Sequence, residues 1–274
     1  MGYSRALSEQ LITRFRIALA GVELDFMERK EYDDLSRRMW RYIDELIYVY
    51  DFPNIRLDPG LWGLFLQKAE RLARSGTVGS DLARKFLTTF NQRRTLLANT
   101  SAKRIVVARL APAIRDARGT ILFTQTKDAA IGAVQGLRNH GIRAEALYAG
   151  FDKDEREEVL ARFSAGELGA VAAPRILDEG VNVPDADLAV VLAASRSRRQ
   201  MIQRMGRVLR LKPDGRDARF AIVYVKGTSE DPQQGAHETF LEEVMGNADE
   251  CRTLAPGPEL VEFLAPRFGP RRDG

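Results

Sequence analysis

Gly119-Thr-Ile-Leu-Phe-Thr-Gln-Thr-Lys-Asp-Ala-Ala-Ile-Gly-Ala-Val-Gln-Gly-Leu-Arg-Asn-His-Gly-Ile-Arg-Ala-Glu-Ala-Leu-Tyr148 places a strand, a helix and a second strand within one short stretch. Thr120–Phe123 is a short apolar strand, and a helix follows from Lys127 to about His140. Gly141 stands where a helix C-cap is expected. Arg143–Tyr148 is the next strand. Two strands joined through a helix of this length form a parallel pair with a right-handed crossover, because a hairpin would need only a tight turn.

The same alternation continues downstream. Asp152 and Glu155 have the spacing of a capping box, opening a helix that runs to about Phe163 and stops near Gly166. Ala170–Ala173 and Leu188–Leu192 are continuous apolar runs suited to strands buried on both faces. Ser197 with Gln200 repeats the capping-box pattern before a helix to about Leu211. Pro213-Asp-Gly215 turns the chain into a strand at Phe220–Val225. The expected fold class is α/β, a parallel sheet flanked by helices and preceded by a mostly helical extension. Upstream, Val22, Leu24 and Phe26 alternate as a strand would. Tyr32, Leu35, Met39, Tyr42, Leu46 and Val49 then recur at three- and four-residue steps and predict one buried helical stripe. Pro53, Pro59-Gly60, Gly76 and Gly79 punctuate this region before helices at about 81–98 and 102–116. The expected organisation is a lead segment with the first strand (1–26), a helical extension (27–117), the α/β domain (118–230) and a partly flexible tail with a last helix at about 235–247 (231–274).

Composition excludes several classes. Hydrophobic residues make up 45% and charged ones 29% of the 274 residues, which is globular rather than disordered. The one cysteine, Cys251, rules out an internal disulfide framework, and with only His140 and His237 beside it a zinc site is not expected. No metal-ligating residue is assigned. No apolar run is long enough to span a bilayer and there is no secretory pattern at the N-terminus, so the expected location is cytoplasmic. Segment 196–219 carries nine basic residues against Asp214 and Asp217, a local excess above the +4 of the whole chain. Such clustering suits an anionic partner.

Within that segment Gln200, Gln203, Arg207 and Arg210 share one face of the expected helix, while Ile202, Met205 and Leu209 share another. The helix begins beyond the end of a strand, and open parallel sheets bind ligands outside the carboxyl ends of their strands. Two guanidiniums there suit phosphate oxygens. Spacing alone leaves a solvated basic face equally open.

Gln200-Met-Ile-Gln-Arg-Met-Gly-Arg-Val-Leu-Arg210 resembles motif VI of superfamily 2 helicases, Q-x-x-Q-R-x-G-R-x-x-R. Ala173-Pro-Arg-Ile-Leu-Asp-Glu-Gly-Val-Asn-Val-Pro184 resembles their motif V, and Ile121-Leu-Phe-Thr-Gln-Thr126 their motif IV. Tyr148-Ala-Gly150, with Arg156 and Phe163, is similar to the segment between. Order and spacing agree over about 119–226. Val22–Ser36, with Glu28, Tyr32 and Leu35, and Leu96–Asn99 with Ala102-Lys103 resemble the connector that precedes this domain in XPB-like helicases. The resemblance implies a RecA-like C-terminal motor half of a DEAD/DEAH-type, XPB-like enzyme, acting on ATP with Mg2+ and on a DNA or RNA backbone. It implies arginine fingers at Arg207 and Arg210, and Gln203 placing the attacking water or the γ-phosphate. Gln200 and Arg204 are motif members near the nucleotide, and Gly180 and Asn182 lie beside its ribose. Thr124 and the 172–175 loop, with Pro174 and Arg175, would lie near the nucleic-acid backbone, joined by Arg196.

The match has departures. Asn182 stands where aspartate is usual, and Ala173-Pro174 replaces a hydroxyl often found early in motif V. Plainer roles also fit the residue types: Gly180 as a turn, Asn182 as a loop cap, and Arg196, Arg198 and Arg199 as a solvated rim. Asp178 and Glu179 are adjacent on a loop and point different ways, which does not suit acid–base work. His140 suits a helix-dipole partner.

The chain contains neither a phosphate-binding Gly-x-x-x-x-Gly-Lys-Ser/Thr loop nor an Asp-Glu-x-His/Asp box. In the family these belong to a first motor domain, here a required partner in cis or in trans, and no membrane is involved. Without them the arginines have no positioned phosphate to act on, so the chain by itself is expected to bind ATP poorly and not to hydrolyse it. The competing expectation is a non-catalytic nucleic-acid-binding or regulatory module that has kept the fold.

Overall fold

The computed structural model describes residues 13–174, 186–192, 208–209, 214–234 and 247–268. Among them seven strands form one parallel sheet: β1 (Phe15–Val22), β2 (Thr120–Phe123), β3 (Ala144–Ala146), β4 (Ala170–Ala173), β5 (Leu188–Val191), β6 (Ala218–Val225) and β7 (Glu250–Thr253). Their order is β3-β4-β2-β5-β6-β1-β7. Register follows from the pairs Phe123↔Ala173, Phe123↔Val191, Val191↔Ile222 and Val22↔Val225. The helices are α1 (Phe26–Tyr50), α2 (Trp62–Ser75), α3 (Ser80–Asn99), α4 (Ser101–Arg109), α5 (Ala111–Arg115), α6 (Lys127–Arg138), α7 (Lys153–Ser164) and α8 (Pro258–Phe263). The chain divides into an α/β unit, Met1–Glu23 with Ala98–Gly274, and a helical unit, Leu24–Leu97.

The α/β unit has the expected parallel sheet. Its core joins Phe15, Ile17, Ile121, Phe123, Val171, Val191, Phe220 and Ile222 from the strands to Leu160 and Phe163 of α7. Both capping-box residues of α7 make their bonds: Glu155 N donates to Asp152 Oδ1 at 2.8 Å and Asp152 N to Glu155 Oε2 at 2.9 Å. Past α6 the chain reverses through Gly141 at φ 75°, a left-handed conformation that glycine adopts without strain.

The first strand lies upstream of the alternating Val22–Phe26 pattern. Phe15–Val22 is buried at every position, because β1 is flanked by β6 and β7 and covered on both faces. Asp25 instead caps α1, accepting from Glu28 N at 2.8 Å, and Phe26 is exposed. In the C-terminal region β7 adds to the sheet beside β1, and Leu254, Leu260, Phe263 and Leu264 are buried. The expected helix at 235–247 falls, apart from Asn247, outside the described residues.

The helical unit has its own core, with Met39, Ile43, Leu46 and Ile47 of α1 packed with Phe52, Phe65, Phe86 and Phe90. Phe65 and Phe86 meet edge to face at 5.3 Å. The predicted stripe holds at Tyr32, Leu35, Met39 and Leu46, with Tyr42 half-buried, but Val49 is exposed. A three-and-four spacing drifts around a helix of 3.6 residues per turn, and Ile43 and Ile47 take up the buried face.

Candidate functional site

Parallel pairing brings the carboxyl ends of the strands to one edge of the sheet. Phe123, Ala173, Val191 and Val225 end neighbouring or next-neighbouring strands, and the segments carrying all three recognised motifs leave from this edge.

Motif IV is described in full. Thr124 follows β2 and is 1% exposed; its N–H donates to Ala173 O at 3.0 Å and its hydroxyl to Thr126 O at 3.4 Å. The side chain faces its own loop. Thr126 caps α6, accepting from Ala129 N at 3.1 Å and donating to Asn99 Oδ1 at 2.8 Å. Lys127, exposed at the first position of α6, lies with Nζ 4.2 Å from the Tyr148 ring centroid, and Tyr148 meets Phe151 edge to face at 5.0 Å. Lys127 was not among the expected site residues, although its place immediately after motif IV and at a helix start was a usable signal. Pro174, half-buried, is the last described residue after β4.

Arg175, Gly180, Asn182, Arg196, Gln200, Gln203, Arg204, Arg207 and Arg210 lie outside the described residues. What bounds them is described. Leu192 is buried at the end of β5, its N–H donating to Phe123 O at 2.8 Å. Val208 and Leu209 are wholly buried in the sheet core, and Leu209 O accepts from Thr13 N at 2.8 Å. Leu209 was expected on the packing face, and it packs there.

A buried ion pair completes this edge. Lys103 Nζ reaches Glu230 Oε2 at 2.6 Å and Leu192 O at 2.7 Å. Nearby on β6, burial and the charge of Asp231 push the Tyr224 phenol above its ordinary pKa. Among the described residues no group of three or more His, Cys, Asp or Glu side chains could hold a metal ion. No described helix is long and apolar enough to cross a membrane. His140, expected at a helix end, sits just past α6 with Nδ1 2.9 Å from Gly136 O.

Fold, motif order and sequence similarity point the same way. Residues 102–212 match the helicase conserved C-terminal domain, which supports the resemblance to the C-terminal half of superfamily 2 helicases. The chain is 29% identical over 227 residues to the DNA 3'-5' translocase XPB2 of Sulfurisphaera tokodaii, covering 82% of this chain and 46% of that protein. It is 33% identical over 179 residues to the putative DNA 3'-5' helicase Rad25 of Haloarcula marismortui, covering 65% of this chain and 25% of that protein. The chain thus spans less than half the length of either relative. In fold it is similar to the C-terminal part of the Fun30 ATPase domain, with a TM-score of 0.51 at 10% identity, covering 93% of this chain and 96% of that one.

Proposed function

We propose that this chain is the second motor domain of an ATP-dependent DNA translocase or helicase. It completes a nucleotide cleft whose phosphate loop and Mg2+ site belong to a first motor domain. In this reading Arg207 and Arg210 reach the γ-phosphate and offset charge that develops as the phosphoryl group transfers. Gln203 orients the attacking water, while Gln200, Arg204, Gly180 and Asn182 lie along the nucleotide. Pro174, Arg175 and Arg196 line the path of the nucleic-acid backbone, and the buried Thr124 supports that path through its bonds to Ala173 and Thr126. The named relatives are DNA translocases or helicases, which favours DNA over RNA.

The observation that supports this reading most directly is the burial of Val208–Leu209, the two residues between the proposed fingers. Arginine side chains act on a transferring phosphoryl group only if their backbone is held in place beforehand. Here the two residues between them are buried in the sheet core, where Leu209 O accepts from Thr13 N.

The test is DNA-stimulated ATP hydrolysis by this chain mixed with a cognate first motor domain. The mixture should hydrolyse ATP where neither part does so alone. Arg207→Ala and Arg210→Ala should each lower kcat by about a thousandfold or more, the scale of arginine fingers in related phosphoryl transfer. Failure of every such pairing, with DNA binding intact, would leave the non-catalytic module as the correct account.

A further inference from the structure

Lys103 is 1% exposed, in the first turn of α4. Its ammonium bonds to the carbonyl of Leu192, just past β5, and to Glu230, which also accepts from Val225 N at 3.3 Å at the end of β6. The turn presenting Glu230 is closed on itself. Thr228 Oγ1 donates to Val225 O at 2.7 Å and accepts from Glu230 N at 3.2 Å, and Asp231 Oδ2 accepts from Gly227 N at 2.7 Å. One ammonium therefore ties together two neighbouring strand ends.

Packing alone does not call for this arrangement. A buried ion pair costs desolvation, and apolar side chains of similar volume often stabilise a core as well or better. What the ammonium adds is a directional donor for a carbonyl just beyond the β5 ladder, whose pairing stops at Val191. The N–H of Leu192 is already fixed on Phe123 O. With Lys103 on its carbonyl, both polar backbone groups of Leu192 are held. Residues 193–207, which join Leu192 to the buried Val208 in sequence, contain Arg196, Gln200, Gln203, Arg204 and Arg207.

We propose that Lys103, supported by Glu230, is a positioning residue for the motor's chemistry. It sets the direction in which the arginine-bearing segment leaves the sheet. The catalytic consequence rests on the proposed function above, whereas the anchoring of Leu192 does not.

The test uses the full chain carrying Lys103→Met with Glu230→Gln, which removes both charges and leaves an acceptor for Val225 N. Denaturant unfolding should keep its midpoint. Native-state trypsin cleavage after Arg196, Arg198, Arg199 and Arg204 should speed up about tenfold, the ratio expected when a local opening loses one hydrogen bond. In the mixed motor kcat should fall by about tenfold while KM for ATP stays within about twofold, as when an interaction made only in the transition state is lost. Unchanged cleavage overturns the inference. So does unchanged kcat in a motor that Arg207→Ala disables. A motor indifferent to Arg207→Ala would instead sink the proposed function and leave the cleavage ratio to decide the anchoring. Should the double variant not fold, Glu230→Gln alone keeps an acceptor for both Lys103 and Val225. Cleavage about threefold faster then supports the anchor, as a weakened charge-assisted bond implies, and cleavage at the wild-type rate overturns it.

Discussion

At the amino edge of the sheet, Asp187 accepts four hydrogen bonds: from Arg118 N at 3.0 Å, Gly119 N at 3.4 Å, Arg216 Nη1 at 3.1 Å and Arg219 Nη2 at 2.6 Å. Beside it Arg16 Nε donates to Asp217 Oδ2 at 2.6 Å. The same guanidinium bonds to the carbonyls of Phe263 and Ala265, and Arg219 bonds to Leu264 O. Three arginines and two aspartates thus close this edge and fasten α8 to β1 and β6. At the carboxyl edge the described polar links are fewer. Lys103 with Glu230 and Thr126 with Asn99 fix individual strand and helix ends, while Lys127 stays exposed. The difference is one of self-pairing on one sheet. Charges at the amino edge are spent on one another, whereas at the carboxyl edge the Lys127 cation stays exposed beside the proposed site.

The largest expected effect follows from breaking the amino edge. Asp187→Ala takes from buried Arg219 its hydrogen-bonded carboxylate, leaving only the more distant charge of Asp217, and strands two backbone N–H groups. Arg219 already has a buried Nε without a partner among the described residues, and burial lowers its guanidinium pKa against the opposing pull of Asp187 and Asp217. Removing one partner from a buried ionic cluster costs about 3–5 kcal/mol. Urea unfolding of the variant should show a loss of that size, with the wild-type m-value. A loss below about 1 kcal/mol, the scale of a surface pair, would mean that the two edges do not differ in kind.

The carboxyl edge should respond less and more locally. Thr126→Ala removes the cap of α6 and the bond to Asn99, at a cost of about 1 kcal/mol. Hydrogen exchange should accelerate in the first turn of α6 and leave β6 and β1 unaffected. Spreading of the effect into β1 would show that this edge, too, is part of one cooperative network.

Legibility in the sequence follows the same divide between local and distant causes. The α7 capping box, the helical period of α1 up to Leu46 and the apolar runs of β2, β4, β5 and β6 are written within a few residues, and the sequence reading places them. β1 is not written that way. Phe15-Arg-Ile-Ala-Leu-Ala20 lacks the alternation of a one-sided strand, and Arg16 looks solvent-facing until Asp217, Phe263 and Ala265 are brought to it. β7 has a half-exposed Glu250-Cys-Arg-Thr253 sequence and exists because β1 offers it a ladder. Lys103 and Asn99 stood out in the sequence only through resemblance. Their bonds to Leu192, Glu230 and Thr126 depend on contacts that no local pattern encodes.

The smallest effect concerns the half-buried rim of the amino edge. Burial alone would raise the pKa of Asp214, but the backbone N–H and guanidinium of Arg216 outweigh it and hold the carboxyl below its ordinary 3.8. A folded-state pKa below the unfolded one means that the native state binds fewer protons in that range. Its stabilising contribution is therefore present above pH 3.8 and is lost as pH falls through the lower folded value. Asp214→Asn should flatten the acid limb of a stability–pH curve below about pH 4, by well under 1 kcal/mol because the pair is partly solvated. Asp187→Ala should instead lower the whole curve. Equal acid limbs for wild type and Asp214→Asn would show that the Asp214–Arg216 contact adds nothing to stability in acid. A steeper limb in the variant would contradict the sign of the Arg216 contact itself.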